Sequence, residues 1–429
     1  MAQTTARPSA VLEALRTAKY PLLESFKRSP IYETLQVRDF RWIWVGSFAS
    51  FMAMNMQMIT RGWLVLRLED DSPFALTLVM VSFAAPMTFM SLIGGALADR
   101  VPKKYLIFGS QIGNALLTFL MAMMDASGTI WLGAVLAIGF VNGSMMAINM
   151  PSRQSIISEI VPDDKLMNAV ALNNSAMNLT RIIGPALAGF LIIFIDTSGV
   201  FYLVSIVYVL SAFSVLRLNV TSVPSNGKKK SLTGDIQEGL KYVWSDATLR
   251  GLVIMAFIPS LFGFTLFALL PAWGREALNV RSTDLGILMM LMGIGALVGT
   301  LGLASVKKFN RRGALLLVNS TLWGLALMAL SQSPSYVIAT PFLLLIGLLS
   351  SVYMSLNMTL TQLYAAPEMR GRVMSIAMMT FGLMPIGALP FGSLAEVIGT
   401  PNALTLSGLV LAVATVVFAF AYPHFRKMV

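Results

Sequence analysis

Apolar residues occur in long, unbroken runs separated by short polar breaks. The runs lie at roughly 40–67, 73–98, 105–124, 130–151, 166–195 and 200–218, and again at roughly 250–273, 283–304, 314–331, 335–364, 373–398 and 403–422. A helix that crosses a bilayer needs about 20 apolar residues, and each run is of that order. The runs are too long for barrel strands and do not alternate, which excludes a transmembrane β-barrel. The pattern predicts an all-α integral membrane protein with 12 transmembrane helices, arranged as two six-helix bundles over 39–218 and 249–422. The break at 219–248 carries Gly227 and the run Lys228, Lys229, Lys230, and reads as the linker between halves. Residues 1–38 are polar and basic with no continuous apolar stretch, so no cleaved signal peptide is expected. Within them, Val11–Phe26 is compatible with an amphipathic surface helix or with a plain tail, and 423–429 form a second tail.

Composition sharpens this picture. Apolar residues make up 56% of the 429, and charged residues 12%. Soluble domains carry about 25% charged residues, and a globule this apolar would expose aggregating surface. The chain has no cysteine, which removes disulfides, thiolate nucleophiles and cysteine metal sites. Its single histidine, His424, lies in the C-terminal tail, and no phosphate-loop motif occurs. Neither an enzyme nor a metal or cofactor site can be assembled from these loops.

The net charge of +11 is topological. With both termini in the cytoplasm, 26 of the 31 Lys and Arg fall on that side, and only Arg61, Arg67, Arg275 and Arg281 lie outside or at outer ends. Such a bias satisfies the positive-inside rule and requires no nucleic-acid partner. A multi-pass protein of a cytoplasmic (inner) membrane, bacterial and monomeric, is expected.

The halves repeat. Val161-Pro162-Asp163 matches Ala366-Pro367-Glu368 at an offset of 205, Pro185 matches Pro390 at the same offset, and Arg100 matches Lys307 at 207. Parallel halves related by an axis along the membrane normal are one architecture of secondary transporters.

Residues 95–104, GALADRVPKK, resemble the loop motif G-x-x-x-D-R-x-G-[RK]-[RK] of the major facilitator superfamily, with Pro102 in place of the second glycine. The second-half copy keeps Gly302 and Lys307 but lacks the Asp. Residues 151–189 and 367–375 resemble the exporter branch that includes the enterobactin exporter and macrolide and multidrug efflux proteins. Gly184, Pro185 and Gly189 resemble the antiporter motif of its fifth helix, with Ala171, Thr180 and Ala188 replacing glycines. The resemblance implies the two-bundle pseudo-symmetric fold. It also implies a cytoplasmic gate built from Gly95, Asp99, Arg100, Lys103 and Lys104, with Arg153, Arg370 and Arg372 beside it. Asp99 would sit at the positive end of a neighbouring helix, and Arg153 would pair with Glu159 or Asp163. A plain basic turn is the simpler alternative.

Polar groups at membrane depth are costly, so each is a candidate. Gln57 and Arg61 on the first span, Asn142 and Asn149 on the fourth, Asn178 and Arg181 on the fifth, and Tyr353 and Asn357 on the tenth fall on common faces at helical spacing. In this superfamily spans one, four, seven and ten line the central cavity, so the resemblance turns most of these residues towards substrate. The alternative is that amides and hydroxyls bond helix to helix, and that Arg61 snorkels to the outer face. No Asp or Glu stands mid-span. A cavity with Arg and amides suits an anionic or neutral, partly apolar molecule, whose apolar part would meet Phe257, Phe264, Phe267 and Trp273. The expected function is export of a small amphipathic drug or siderophore by alternating access, with proton coupling inherited from the resemblance. The rivals are a facilitator or importer of an organic anion or lysophospholipid, and a non-transporting scaffold or sensor.

Overall fold

A computed structural model of the chain describes residues 30–98, 101–219, 232–305, 311–366, 369, 373, 376 and 383–428. Every regular element among them is helical. A short α1 (Pro30–Leu35) precedes α2 (Arg38–Leu68), α3 (Pro73–Ala98), α4 (Lys103–Ala126), α5 (Leu132–Ile160) and α6 (Asp163–Leu216). Next come α7 (Leu232–Ser245), α8 (Ala247–Phe262), α9 (Thr265–Leu278), α10 (Ser282–Ser305), α11 (Arg312–Ser331), α12 (Tyr336–Tyr364), α13 (Met384–Ile398) and α14 (Thr400–Ala421), closed by a 3-10 turn at Pro423–Lys427. Eight segments are long and apolar enough to cross a bilayer, with α8 and α9 taken as one, and two shorter apolar helices lie within α3 and at α13. The 31 residues of α2 also suffice, reaching about 46 Å at 1.5 Å per residue. It is less apolar than α3 because it carries Asn55, Gln57 and Arg61. The possible surface helix Val11–Phe26 lies outside the described residues.

The fifth and sixth runs part at Asp196 (φ 55°, ψ 179°), whose backbone is not helical, so that α6 consists of two legs, as the run spacing expects. The Asp196 carboxylate accepts the Thr197 amide (2.7 Å) and so caps the second leg. Arg67 from the end of α2 donates to Asp196 (3.1 Å), to the Thr197 hydroxyl (3.0 Å) and to Asp125 of α4, which pins the corner. The seventh run, in contrast, is broken at Gly263 and Phe264 into α8 and α9. There the Gly263 and Phe264 amides both bond the Pro259 carbonyl (2.8 and 3.1 Å). A Cβ at Gly263 would stand 2.9 Å from Trp323.

Helix pairing follows the repeat. In the first half α3 packs on α5, and α4 on the second leg of α6; in the second half α10 packs on α12, and α11 on α14. The halves join where the first leg of α6 meets α10 and where α3 meets α13. Lipid supplies no hydrophobic drive between helices, so close backbone approach carries these seams. A Cβ on Gly143 would lie 2.0 Å from the Phe83 carbonyl, and one on Gly295 would lie 2.0 Å from that of Leu344. Gly302, two turns further along α10, meets nothing within 4 Å.

Replacing Gly295 with Leu is therefore expected to destabilise the purified protein by ~1–3 kcal/mol or more through overpacking. Gly302→Leu should stay within about 0.5 kcal/mol. Thermal unfolding in detergent compares the two.

Candidate functional site

The polar side chains of the first half converge inside the bundle. Arg61 is 5% exposed and donates through Nη2 to Asn142 Oδ1, while Asn142 Nδ2 donates to Asn114 Oδ1 (2.7 Å). The Arg61 guanidinium lies 5.9 Å from the Phe83 ring centroid, and its Nε has no partner. Gln57 donates to Thr118 (2.9 Å) and accepts from the Tyr208 hydroxyl (3.2 Å). Just over one turn along α4 from Asn114, Ser110 accepts Asn149 Nδ2 (2.7 Å) and Gln111 donates to Ser50 (2.6 Å). Arg153 closes the column. It is 2% exposed and donates to Asn149 Oδ1 (3.1 Å), Ser47 Oγ (3.0 Å) and Ser211 Oγ (3.3 Å). Among the described residues neither arginine contacts a carboxylate.

Gln57, Arg61, Asn142 and Asn149 are buried, each with a partner on a neighbouring helix, and tie α2, α4, α5 and α6 together, which is the helix-bonding alternative of the sequence reading. Arg153 bonds amides and hydroxyls and not Glu159, which pairs with Lys103. Tyr353 and Asn357 likewise donate to the Met255 and Leu252 carbonyls of α8 (3.1 Å for Asn357). Of the aromatic residues expected to meet substrate, Trp273 is fully buried and bonds the Ser331 carbonyl (3.0 Å). Phe264 packs edge-to-face on Trp323 (5.0 Å). The sequence reading passed over Ser110, Gln111, Asn114 and Thr118, although their spacing of one, three and four residues inside an apolar helix is the signature of a polar buried stripe.

Arg181 is different. It is exposed, and no hydrogen bond or ion pair engages it among the described residues. Leu179, Ile183, Leu187 and Phe190 are the exposed apolar face of this leg of α6 (38–50%). Helical phase places Arg181, Asn174 and Asn178 on the opposite side. The flanking residues fix where that side looks. A Cβ at Gly184 would press Asn55 of α2 (2.8 Å), whereas one at Gly189 would stand 2.4 Å from the Ser282 carbonyl of α10, and one at Gly286 of α10 would stand 2.7 Å from the Pro185 carbonyl. Gly184, Pro185 and Gly189 therefore hold the leg between one helix of each half, with Arg181 facing the space between them.

The halves are clamped at the face opposite the chain ends. Glu396, at the end of α13, accepts from the Ser72 hydroxyl (2.5 Å) and the Phe74 amide (3.1 Å), and so caps α3 from across the interface. Arg275 of α9 donates to Asp71 (3.2 Å) and lies 5.0 Å from the Trp63 centroid. At the terminal face, Lys104 donates to the Leu216 and Leu218 carbonyls (2.9 and 2.6 Å), a cation at a helix C-terminus within the first half. Gly95 lies in α3; Asp99, Arg100, Arg370 and Arg372 lie outside the described residues.

The two kinds of amide make opposite predictions. Asn142→Leu strands Arg61 and Asn114 and should cost ~1–3 kcal/mol for each partner left unbonded. Asn178→Leu, without a bonded partner, should cost less than about 0.5 kcal/mol. Chemical or thermal unfolding of the two variants checks this.

Comparison with known proteins agrees with this architecture. Residues 29–428 match the family model described as transmembrane secretion effector, of the major facilitator (MFS) class. The staphyloferrin A transporter of Staphylococcus aureus is 26% identical over 383 residues, covering 89% of this chain and 95% of that protein. The multidrug efflux pump Tap of Mycolicibacterium fortuitum is 24% identical, covering 73% and 78%. Among solved structures, the nucleoside transporter NupG superposes with a TM-score of 0.71 at 15% identity, over 91% of this chain and 100% of that one. A peptide transporter of the POT family reaches 0.76 at 11% identity, over 90% and 95%. These likenesses show the fold. The chain is a helical multi-pass membrane transporter, not an enzyme, and it belongs to the transmembrane secretion effector family of major facilitator proteins.

Proposed function

We propose that this protein is a secondary active exporter of a small, amphipathic, anionic or neutral compound, working by alternating access between two six-helix bundles. The observation that carries the proposal is Arg181. It is an ionisable side chain without a protein partner among the described residues, on the face of α6 that looks between the halves. No mid-span carboxylate competes for it in the sequence. A guanidinium so placed favours a carboxylate, phenolate or hydroxyl-rich group. The relatives named for a siderophore and for multidrug efflux support the same reading. Counting the legs of α6 separately, and α13 as the described part of the eleventh span, gives the twelve spans. With 26 of 31 cations on the terminal side, that side is cytoplasmic. The Glu396 and Arg275 clamps then close the outer side. Opening of that side must break those clamps, and the gate expected of Asp99, Arg100, Arg370 and Arg372 serves the other side. Proton coupling, a monomeric state and the inner membrane of a bacterium complete the proposal. The lack of a mid-span carboxylate favours one rival, gradient-independent facilitation of an organic anion.

Transport into energised inside-out vesicles, tested with dyes, macrolides and a catecholate siderophore, separates the two. Uptake abolished by a protonophore supports proton-driven export; uptake indifferent to it supports facilitation. Arg181→Gln should lower transport about tenfold, the equivalent of ~1.4 kcal/mol of lost charge-assisted binding, with unchanged unfolding temperature.

The outer clamp makes a separate prediction. Because the chain has no cysteine, Asn178→Cys supplies a unique thiol between the halves. Glu396→Gln should raise its labelling rate by an outside, membrane-impermeant reagent about two- to five-fold, the worth of an exposed charged contact.

A further inference from the structure

We infer that the groove between α11 and α14, at the terminal face of the second half, binds an anionic phospholipid. The groove measures about 300 Å³. Its walls are Leu317, Val318 and Leu322 of α11 with Val416 and Ala419 of α14. The Thr321 hydroxyl turns back to the Leu317 carbonyl (2.9 Å), which leaves its methyl group for the wall. Val318, Leu322 and Val416 are 41–55% exposed, so the groove opens sideways, towards the space a bilayer fills. From Ala314 to Leu322 it descends eight residues, about 12 Å along the helix. That depth suits the first part of an acyl chain below its headgroup.

The head of the groove is cationic. Arg426 lines it and is held in place from behind. Its Nε donates to the Ala419 carbonyl (2.8 Å), and its guanidinium lies 4.8 Å from the Phe420 centroid. Both Nη groups are without a protein partner among the described residues. The 3-10 turn is sealed onto the start of α11. A Cβ on Gly313 would stand 1.9 Å from the Phe425 carbonyl, and the Gly313 amide bonds Met428 (3.4 Å). The seal holds the turn that carries Arg426 against the start of α11. No Asp or Glu occurs in α11, α14 or the turn that follows, so nothing within these walls neutralises Arg426. An apolar trough under an uncompensated guanidinium group matches a phosphate-bearing lipid and not a soluble anion, which would leave the trough empty. It equally disfavours a zwitterionic lipid, whose own ammonium would face the arginine.

The test uses the full chain in nanodiscs, with a single bimane-labelled cysteine at Thr321→Cys. Brominated phosphatidylglycerol should quench the bimane at a mole fraction about five-fold lower than brominated phosphatidylcholine, the worth of ~1 kcal/mol from one basic side chain near the surface. Arg426→Gln should abolish the difference, and Arg426→Lys should keep more than half of it. Leu210→Cys, on the lipid-facing side of α6 in the first half, should show no preference. Equal quenching by the two lipids at position 321 would overturn the proposal. So would a preference that survives Arg426→Gln, or an equal preference at position 210, which would mark only the general charge of that face.

Discussion

A guanidinium group inside a bilayer must be solvated by protein, and the first half is built around that requirement. Arg61 and Arg153 are both buried without a carboxylate among the described residues. Their hydrogen bonds go to side-chain amides and hydroxyls on three helices, α2, α5 and α6. Leaving a buried donor unbonded costs ~1–3 kcal/mol, and more for a charge. Helices α2, α5 and the second leg of α6 therefore share one geometry, since moving one of them strips acceptors from an arginine, and α4 is tied in through Asn114 and Ser110. The half behaves as a rigid unit because its polar interior tolerates only one arrangement.

The second half solves the same packing problem differently. Its interior is aliphatic and aromatic, with Phe264 packed on Trp323 and Trp273 buried, and several of its polar groups, Trp273, Tyr353 and Asn357 among them, bond backbone carbonyls. Dispersion contacts are less directional than hydrogen bonds and permit small slides. The joint between halves combines both kinds. Bare glycine faces lie along α6 and α10, where backbones touch, and a few charged clamps stand at one face. A joint of that kind can part without tearing a core, as the proposed rocking cycle needs.

The helical membrane class was legible in the sequence because run length reports directly on bilayer thickness. The repeat was legible because prolines recur at one offset, as Pro185 and Pro390 do, each inside a helix. Where sequence reasoning misplaced residues, the cause was rotation about a helix axis. Arg61 and Arg181 look alike as cations in apolar runs, yet one faces bundle neighbours and the other the space between bundles. Spacing puts residues on a common face, but only tertiary packing says what that face meets. The parting of the fifth and sixth runs at Asp196 was legible, because Asp196, Thr197, Ser198 and Gly199 interrupt the apolar sequence. The break at Gly263 was not, because its segment stays apolar and the tryptophan it meets stands on another helix.

The break at Gly263 has a mechanical consequence. A continuous helix transmits bending from end to end, whereas two rods joined at a pair of residues transmit only position. The Arg275 clamp sits on α9, and the backbone carbonyls that anchor Tyr353 and Asn357 sit on α8. The clamp and the anchors therefore load separate rods, like a latch and a bolt on either side of a joint, and parting the clamped face costs the rupture of a few surface contacts.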